Sequence, residues 1–499
     1  MNLRWTRLLT IMLTTLLLLA AAGPAAQTVW AIEDEPPQEV LPSSWSWMSD
    51  VQGAQAGASV AGAGDVNRDG YADVIVGAPL YSSEIYRSGA AFLFRGSAFG
   101  LESTPHWTAA GESQGNAFGT AVASAGDVNC DGYADVIVGA PNYGQNHGRV
   151  YVYYGSSSGL STTPNWTYTS LERDYWLGWS VAGAGNVNGD SHNGKSCDDL
   201  LVGVRYFSDG QDREGGVFLF YGSPTGLNSS PDWIGQVNQA AAQFSYAISG
   251  AGDVNQDGYD DVLVGAPNYQ NDEIKEGAIF LFYGSALGLS STPAWYATSG
   301  LAEARLGYSV SGAGDANGDG YPDLAAGAPG WEGSLGAVFV YHGSSLGPSL
   351  EPDWMHAGDT PFIGYGEAVA GAGNLNGDFH PNTKIGYDDL VVGVRKYTND
   401  KREQGAIFVH HGGPAGLAEF PGWRAVGNKA ETGFGAWVAA AGNINRDGYS
   451  DILVGAPEYK DSQENKRGAA FVYHGFLQEV VNGEIQPRQH YLFLPITTH

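Results

Sequence analysis

Basic residues are scarce in this chain: 24 lysines and arginines stand against 53 aspartates and glutamates, for a formal net charge of −29. Phosphate-rich partners need a basic face, so this balance argues against nucleic acid or an anionic membrane as a partner. Histidines are few as well, and the 11 present are scattered without metal-ligand spacing. A zinc site and a catalytic triad therefore have no support in the sequence.

Long hydrophobic runs are missing except at the N-terminus. Two arginines precede an apolar run at 8–22, and small residues follow it. This order is typical of an export signal, and a run of fifteen residues is short for a membrane span. We therefore expect a signal peptide over 1–26, a flexible leader over 27–43 and no transmembrane segment in the mature chain. The protein should be secreted or held at the cell surface.

Glycine, in contrast, is abundant, and an acidic loop of the form D/N-x-N-x-D recurs seven times at intervals of about sixty residues. The clearest copy spans 65–73 and leads directly into an apolar strand at 74–79. Seven loops in register indicate a repeat architecture in which each unit has the same turn. Close copies of the loop open at Asp127, Asp253 and Asp315, and weaker copies open at Asn186, Asn374 and Asn443.

Each unit reads as four short strands joined by polar turns, with no helical periodicity. The first strands at 60–64, 122–126 and 369–373 contain only small residues, as expected where the innermost strands of a ring converge on its axis. The sequence therefore predicts an all-β fold, a seven-bladed β-propeller of four-stranded antiparallel blades over 44–477. A C-terminal tail over 478–499 follows.

Tryptophans indicate how the ring closes. Six of them mark the fourth strands of six units, and the last unit has none after it. A spare copy of the motif, at 44–48, precedes the first repeat. We predict that this N-terminal strand completes the seventh blade, so that the sheet has no open edge. The six tryptophans are Trp107, Trp166, Trp233, Trp295, Trp354 and Trp423.

Units 3 and 6 differ from the others in the same two ways. Both have a lengthened acidic loop, and both have Gly-Val-Arg, ending at Arg205 and Arg395, where the other units have Gly-Ala-Pro. This pairing suggests a three-blade unit duplicated in tandem, with the seventh blade closing the ring.

The acidic loops have the composition of calcium sites. Calcium takes roughly six to eight oxygen ligands, from carboxylates, amides and backbone carbonyls. Alternating loop residues point inward, so positions 1, 3, 5 and 9 should supply side chains and position 7 a carbonyl. In the five loops of standard length the expected ligands are Asp65, Asn67, Asp69, Tyr71, Asp73, Asp127, Asn129, Asp131, Tyr133, Asp135, Asp253, Asn255, Asp257, Tyr259, Asp261, Asp315, Asn317, Asp319, Tyr321, Asp323, Asn443, Asn445, Asp447, Tyr449 and Asp451. In loops 3 and 6 they are Asn186, Asn188, Asp190, Asp199, Asn374, Asn376, Asp378 and Asp389.

Asp, Asn and Gly also make good hairpin turns without any metal. That alternative explains a single loop but not a carboxylate at position 9 in all seven. The ligand count favours calcium over magnesium. Loops 3, 6 and 7 have fewer carboxylates, so we expect weaker binding there.

The alternation of Phe118-Gly119 or Phe434-Gly435 with Gly-Asp-x-Asn-x-Asp-Gly-Tyr and Gly-Ala-Pro resembles the FG-GAP repeats of integrin α-subunit heads. The resemblance covers about 44–476 and implies a seven-bladed, calcium-bearing extracellular propeller. The chain shows no integrin leg domains and no Arg-Gly-Asp tripeptide, so pairing with an integrin β-subunit is not expected.

Two further features have competing interpretations. Cys130 in loop 2 and Cys197 in the loop 3 insertion lie on adjacent blades at the same face, where an exported protein can form a disulfide; two free thiols are the alternative. The G-x-S-x-G match at 155–159 recurs as an ordinary turn at 222–226, so it is not a nucleophile elbow.

One aromatic residue follows every second strand, on the face opposite the acidic loops. A crown of such rings could bind glycans or protein ligands. The alternative is that residues present in every blade pack between blades. The seven are Tyr81, Tyr143, Phe207, Tyr269, Trp331, Tyr397 and Tyr459.

Together these patterns predict an exported, monomeric, calcium-stabilised propeller without enzymatic activity, which binds an extracellular protein or glycan in adhesion or recognition. A lectin is the alternative among binding proteins. A hydrolase that uses the central channel is the alternative from another class.

Overall fold

A computed structural model describes residues 43–476, 478–481 and 484–487. The expected signal peptide, nearly all of the leader and the end of the tail lie outside the described residues. Seven four-stranded antiparallel sheets follow one another along the chain as the blades of a β-propeller, as predicted. None of the helices in this part of the chain has the length and apolar character needed to cross a membrane. Blades are numbered here by the acidic loop that they contain.

The two inner strands of each blade differ in composition because their surroundings differ. The second strand is buried along its whole length, so after an initial aspartate it reads as an unbroken apolar run. The first strands are Ser59–Gly64, Ala121–Gly126, Leu177–Gly185, Ala247–Gly252, Ser309–Gly314, Ala368–Gly373 and Trp437–Gly442. The second strands are Asp73–Ala78, Asp135–Ala140, Asp199–Val204, Asp261–Ala266, Asp323–Ala328, Asp389–Val394 and Asp451–Ala456.

The two outer strands of each blade contain the aromatic residues that pack between neighbouring blades. The third strands are Ala90–Phe94, Arg149–Tyr153, Gly216–Phe220, Ala278–Phe282, Ala337–Tyr341, Ala406–His410 and Ala469–His474. The fourth strands of blades 1 to 6 are Trp107–Ala110, Trp166–Thr169, Trp233–Gly235, Trp295–Thr298, Trp354–Ala357 and Trp423–Val426.

Small residues in the first strands are a steric requirement, as the sequence indicated. First strands of neighbouring blades lie against one another around the axis. A Cβ atom on Gly62 would come within 2.8 Å of the Ala440 carbonyl oxygen, and one on Gly371 within 2.4 Å of the Gly312 carbonyl oxygen. Larger side chains at these positions would push the blades apart.

The ring closes as predicted. The N-terminal strand Trp45–Met48 pairs antiparallel with the third strand of blade 7, with Trp45 opposite Val472 and Met48 opposite Ala469. It thereby becomes the fourth strand of that blade, next to a strand more than 400 residues away in sequence. The two ends of the propeller are joined by a sheet rather than by a loop.

Each fourth-strand tryptophan fastens its blade to the next one. Its ring contacts the aromatic residue near the end of the third strand in the following blade, with ring centroids 4.8–5.9 Å apart. The indole N–H of Trp107, for example, also donates to the Ser161 carbonyl at 2.9 Å. The pairs are Trp45–Phe94, Trp107–Tyr153, Trp166–Phe220, Trp233–Phe282, Trp295–Tyr341, Trp354–His410 and Trp423–Tyr473.

Blade 6 has a histidine, His410, where the other blades have phenylalanine or tyrosine. The residue is fully buried, and burial together with the nearby His356 lowers the pKa of His410 to about 3. Its imidazole is therefore neutral in the folded protein and becomes charged in the unfolded chain below pH 6.5. The unfolded state binds more protons in this range, so stability falls as the pH falls.

Replacing His410 with phenylalanine should remove this acid sensitivity. Below pH 6.5 the histidine costs about 1.4 kcal/mol per pH unit. Between pH 7 and pH 4.5, His410→Phe should thus lose about 2–3 kcal/mol less of its free energy of unfolding than the wild type, as measured by urea denaturation. His192→Gln, at an exposed histidine, should behave like the wild type. An equal loss in His410→Phe and wild type would contradict the assignment.

Several short elements were not predicted. Short turns with residues in the left-handed backbone conformation, such as Gln145 (φ 67°) and Glu332 (φ 42°), occupy Tyr143–Asn146 and Trp331–Ser334 in the loops between second and third strands. A small hairpin, Ser191–His192 with Lys195–Ser196, forms inside the loop 3 insertion, and the tail contains the paired strands Gln478–Val481 and Glu484–Pro487.

Candidate metal centres

In loop 1 the acidic side chains turn inward on the loop's own backbone. The N–H of Asp69 donates to Asp65 at 3.1 Å and to the Asn67 amide oxygen at 3.2 Å, so both oxygens lie next to one nitrogen. The Tyr71 N–H donates to the Asp69 carboxylate at 3.1 Å, and the Gly70 N–H donates to Asp65 at 2.7 Å. Side chains from positions 1, 3 and 5 are thus brought together around one turn.

The same arrangement recurs in loops 2, 4, 5 and 7. In each, the N–H at position 5 donates to side-chain oxygens at both position 1 and position 3, over 2.9–3.1 Å. The tyrosine N–H at position 7 donates to the carboxylate at position 5. Asn443 in loop 7 takes the same place as the aspartates at position 1 of the other loops.

The carboxylate at position 9 has a structural role that sequence reasoning did not foresee. In blade 1, Asp73 accepts the Val66 N–H at 3.0 Å with one oxygen and the Gly96 N–H at 2.9 Å with the other. Gly96 follows the third strand, so this side chain joins the acidic loop to the turn between strands three and four. All seven position-9 carboxylates are fully buried and make both bonds: Asp73, Asp135, Asp199, Asp261, Asp323, Asp389 and Asp451.

This role accounts for a carboxylate at position 9 in every blade without a cation. The sequence argument that only metal binding explains it is therefore incomplete. Each carboxylate retains lone pairs beyond these two bonds, so a ligand role is compatible with the structural one.

Burial makes the charged form of these carboxylates costly. It raises the pKa of Asp73 and Asp261 to about 7, and the pKa of Asp135, Asp199 and Asp323 to about 8. Repulsion from the other carboxylates of the same loop raises each pKa further. A divalent cation in the loop would offset both the desolvation and the repulsion.

Loops 3 and 6 differ from the standard loops in the hydrogen bonding of one carboxylate oxygen at position 5. One carboxylate oxygen of Asp190 and one of Asp378 are buried and have no hydrogen-bond partner among the described residues. In the standard loops the same oxygen accepts the position-7 N–H. A buried oxygen without a donor is destabilising, and a cation would supply the missing partner. Weaker calcium binding at loops 3 and 6 stays a prediction, although this geometry favours the opposite.

The donor set fits a hard divalent cation. In the part of the chain that the structure describes, no three His, Cys, Asp and Glu side chains are grouped to hold a metal on their own. Asparagine oxygens at position 3, and also at position 1 in loops 3, 6 and 7, would have to complete the shell together with backbone carbonyls. An all-oxygen shell of this kind suits calcium rather than a transition metal. Calcium binding remains a prediction.

Neighbouring acidic loops are linked by backbone hydrogen bonds. The N–H at position 8 donates to the position-1 carbonyl of the preceding loop, as from Ala134 to Asp65 and, across the ring closure, from Ala72 to Asn443, both at 3.3 Å. Within the described chain this hydrogen bond is missing only between loops 4 and 5, because position 8 of loop 5 is Pro322 and proline has no backbone N–H. Each of these hydrogen bonds joins the backbone of one acidic loop to that of its neighbour.

Sequence reasoning missed three carboxylates that strengthen these links. Position 8 is aspartate in loops 3, 4 and 6, and its side chain accepts the N–H of position 1 in the neighbouring loop at 2.7–2.9 Å. An extra Asp directly before position 9 was the available signal. The residues are Asp198, Asp260 and Asp388.

The disulfide proposed from sequence is present. Cys130 and Cys197 are bonded, with Cα atoms 4.8 Å apart, and both side chains are buried. The bond ties loop 2 to the loop 3 insertion, where the backbones of two adjacent blades approach each other.

Removing this disulfide should lower stability by roughly 2–4 kcal/mol, because the bond closes a long loop in the unfolded chain. The double variant Cys130→Ser/Cys197→Ser should therefore melt several degrees below the wild type in calorimetry. Wild type under reducing conditions serves as the control and should match the variant. A variant as stable as the oxidised wild type would contradict the expectation.

The aromatic residues that follow the second strands pack mainly within their own blades. Six of the seven lie edge-to-face on the aromatic residue of the third strand, at centroid distances of 5.0–5.5 Å. In blade 2, Tyr143 instead lies 3.8 Å beneath the Arg149 guanidinium. These rings stabilise the blades, and their role as a ligand-binding crown stays a prediction.

Comparison with known proteins identifies the repeat. The FG-GAP repeat family matches the chain at 56–94, 118–153, 244–278, 306–341 and 434–473, which lie in blades 1, 2, 4, 5 and 7. Five of the seven blades of this propeller thus contain an FG-GAP repeat. The blades without a match are 3 and 6, which have the lengthened loops and Gly-Val-Arg in place of Gly-Ala-Pro.

Similar proteins fall into two groups. Phosphatidylinositol-glycan-specific phospholipase D from Homo sapiens is 33% identical over 226 residues, which is 42% of this chain and 26% of the phospholipase. Integrin alpha-6 from Homo sapiens is 31% identical over 172 residues, 34% of this chain and 15% of the integrin. Integrin alpha-5 from Xenopus laevis is 28% identical over 302 residues, 58% of this chain and 27% of the integrin. This chain thus matches only 15–27% of the length of these three relatives.

These comparisons correct one prediction. We expected a protein without enzymatic activity. The comparisons contradict this expectation, because phospholipases from Homo sapiens, Bos taurus and Rattus norvegicus are 30–34% identical to this chain over the matched residues. The lack of a triad or zinc motif excluded only two kinds of active site, so it did not exclude an enzyme.

Proposed function

We propose that this FG-GAP propeller is a calcium-dependent recognition module of an exported protein, which binds an extracellular protein or glycan in adhesion or recognition. The observation that carries the proposal is the convergence of oxygens from positions 1 and 3 on the position-5 N–H, repeated in five loops of standard length. Such oxygen-rich turns on a rigid frame are what calcium binding requires.

Calcium would act on the whole ring in this proposal. At the majority of blade boundaries, including the closure between blades 7 and 1, each acidic loop is hydrogen-bonded to the next loop. A cation that makes one acidic loop more rigid would therefore also restrict the motion of the neighbouring loops. The face opposite the loops would then present a fixed surface to the partner.

Export and a monomeric state are part of the proposal. The disulfide supports an oxidising compartment, and the blades leave only short edge strands of three or four residues for self-association. The integrin relatives support a role in protein interactions, and the excess of 53 acidic over 24 basic residues argues against a nucleic acid partner. A lectin that binds carbohydrate is the closest alternative.

The phospholipase relatives favour a second candidate, hydrolysis of a phosphatidylinositol-glycan. Their identity to this chain reaches 34% over 235 residues. The full chain should then release the glycan portion from a purified phosphatidylinositol-glycan, with heat-inactivated protein as the control. No release above that control would remove this candidate.

Binding with and without calcium tests the recognition proposal. Fluorescently labelled full chain should bind a glycan array or a cell surface in calcium, lose that binding in chelator and regain it when calcium is restored. Magnesium at the same concentration is the matched control and should not restore it. Binding that is unaffected by chelator would contradict a calcium-dependent module.

A further inference from the structure

An arginine with no anionic partner lies among aromatic rings at one mouth of the central channel. Arg205 directly follows the second strand of blade 3, in the Gly-Val-Arg that replaces Gly-Ala-Pro. Its guanidinium carbon lies 3.8 Å from the ring centre of Trp179 and 5.2–5.8 Å from those of Trp176, Tyr206 and Tyr246. We name these four rings and Arg205 the arginine cage.

The position of the cage follows from the fold. Trp179 and Tyr246 lie at the beginnings of the first strands of blades 3 and 4, and the first strands surround the axis. Arg205 lies at the far end of a second strand. All three positions are at the face opposite the acidic loops. Tyr308, which precedes the first strand of blade 5, extends the aromatic surface, with its ring 4.8 Å from that of Tyr246.

The guanidinium of Arg205 is left with unused hydrogen-bond donors. Its Nε is buried without a partner, and no carboxylate among the described residues lies within ion-pair distance of it. Among the described residues, Arg95 and Arg424 also have a buried Nε without a partner, but Arg95 pairs with Glu102 and Arg424 donates to the Tyr397 hydroxyl. Glu367, whose charge acts on Tyr246 of the cage, is itself paired with Arg395 at 3.8 Å. Cation–π contacts hold the guanidinium in place but supply no acceptor for its N–H groups.

The chemistry of a matching ligand follows from these groups. A guanidinium fork binds a planar carboxylate through two parallel hydrogen bonds. The aromatic surface beside it favours a carboxylate that is attached to a ring with an apolar face. A pyranose that bears a carboxylate meets both conditions, because its C–H face packs on aromatic rings while its hydroxyls reach the tyrosine hydroxyls.

We propose that the arginine cage binds an acidic sugar, with Arg205 paired to the sugar carboxylate and the rings of Trp176, Trp179 and Tyr246 packed against the pyranose. The inference rests on the proposed recognition function and specifies its ligand class. It places the binding site at the channel mouth rather than on the aromatic residues that follow the second strands.

Tryptophan fluorescence of the full chain provides a direct test, since two tryptophans form the cage. Glucuronic acid or N-acetylneuraminic acid should change the emission saturably, and whichever of them binds identifies the source of the carboxylate. Glucose, acetate and inorganic phosphate should bind at least about tenfold more weakly, because each lacks either the charge or the ring. Arg205→Gln should weaken binding of the acidic sugar by about tenfold or more, and Arg205→Lys, which keeps the charge but not the fork, should be intermediate.

Arg149→Gln is the matched control. Arg149 also lies 3.8 Å over a tyrosine ring, but Glu112 pairs with it at 3.1 Å, so its loss should leave sugar binding unchanged. Unchanged binding in Arg205→Gln, acetate or phosphate binding as tightly as the acidic sugar, or no saturable change up to about 100 mM would each overturn the inference. Calcium-dependent binding of another ligand that survives Arg205→Gln would leave the proposed function standing while this site fails.

Discussion

Deleting residues 44–48 should open the ring and strongly destabilise the propeller. The third strand of blade 7, Ala469–His474, would lose its partner strand and become an exposed edge. Phe94 of blade 1 would lose the ring of Trp45, 4.9 Å away, and the ring of Trp47, 5.2 Å away. The single variant Trp45→Ala should already lower the free energy of unfolding by about 3–5 kcal/mol. Urea denaturation measures that loss.

The deletion should also cause association, because an unpaired sheet edge is a template for pairing with another chain. Size-exclusion chromatography with light scattering would detect it. Met48→Ala is the matched control: the residue lies on the same strand, but its side chain is 38% exposed and faces away from blade 1. It should change stability by less than about 0.5 kcal/mol. A monomeric deletion variant with an unchanged melting temperature would contradict closure by this strand.

Replacing a position-9 carboxylate should lower the free energy of unfolding by nearly as much, even in the absence of calcium. In blade 5, Asp323→Ala would leave the buried N–H groups of Ala316 and Gly343 without acceptors. Each unsatisfied buried donor costs about 1–3 kcal/mol, so the loss of two acceptors should cost the variant about 2–6 kcal/mol. Urea denaturation in chelator measures this structural contribution separately from any cation.

The comparison with Asp319→Ala separates the two roles of the loop. Asp319 is exposed and accepts only the Tyr321 N–H and a side-chain bond from Asn317. In chelator its loss should cost less than about 1 kcal/mol, since an exposed backbone N–H can bond to water. In calcium, both variants should show a smaller gain in stability than the wild type. Equal stability of Asp323→Ala and wild type in chelator would contradict the structural role of position 9.

The architecture could be predicted because its constraints are local. Small residues in the first strand, as around Gly62, indicate that the strands are crowded at the axis. The apolar run of the second strand indicates that this strand is buried on both faces. The missing tryptophan in blade 7 and the spare one at Trp45 together indicated the closure. Each of these signals lies within a few residues of the element it describes.

The parts that could not be predicted depend on contacts between distant residues. Position 9 bonds to the turn after the third strand, some 20 residues away, as from Asp73 to Gly96. The arginine cage assembles Arg205 with Tyr246 from the next blade. The Gly-Val-Arg substitution drew attention to Arg205, but the spacing along the chain does not show which rings surround it.

Counting bound calcium tests the central claim most directly. The full chain, stripped with chelator and dialysed against calcium, should carry one ion per acidic loop, up to seven in native mass spectrometry, and should melt at a higher temperature than the stripped protein. Asp319→Ala should carry one ion fewer than the wild type. No bound calcium and no change in melting temperature would contradict the account of the loops as metal centres.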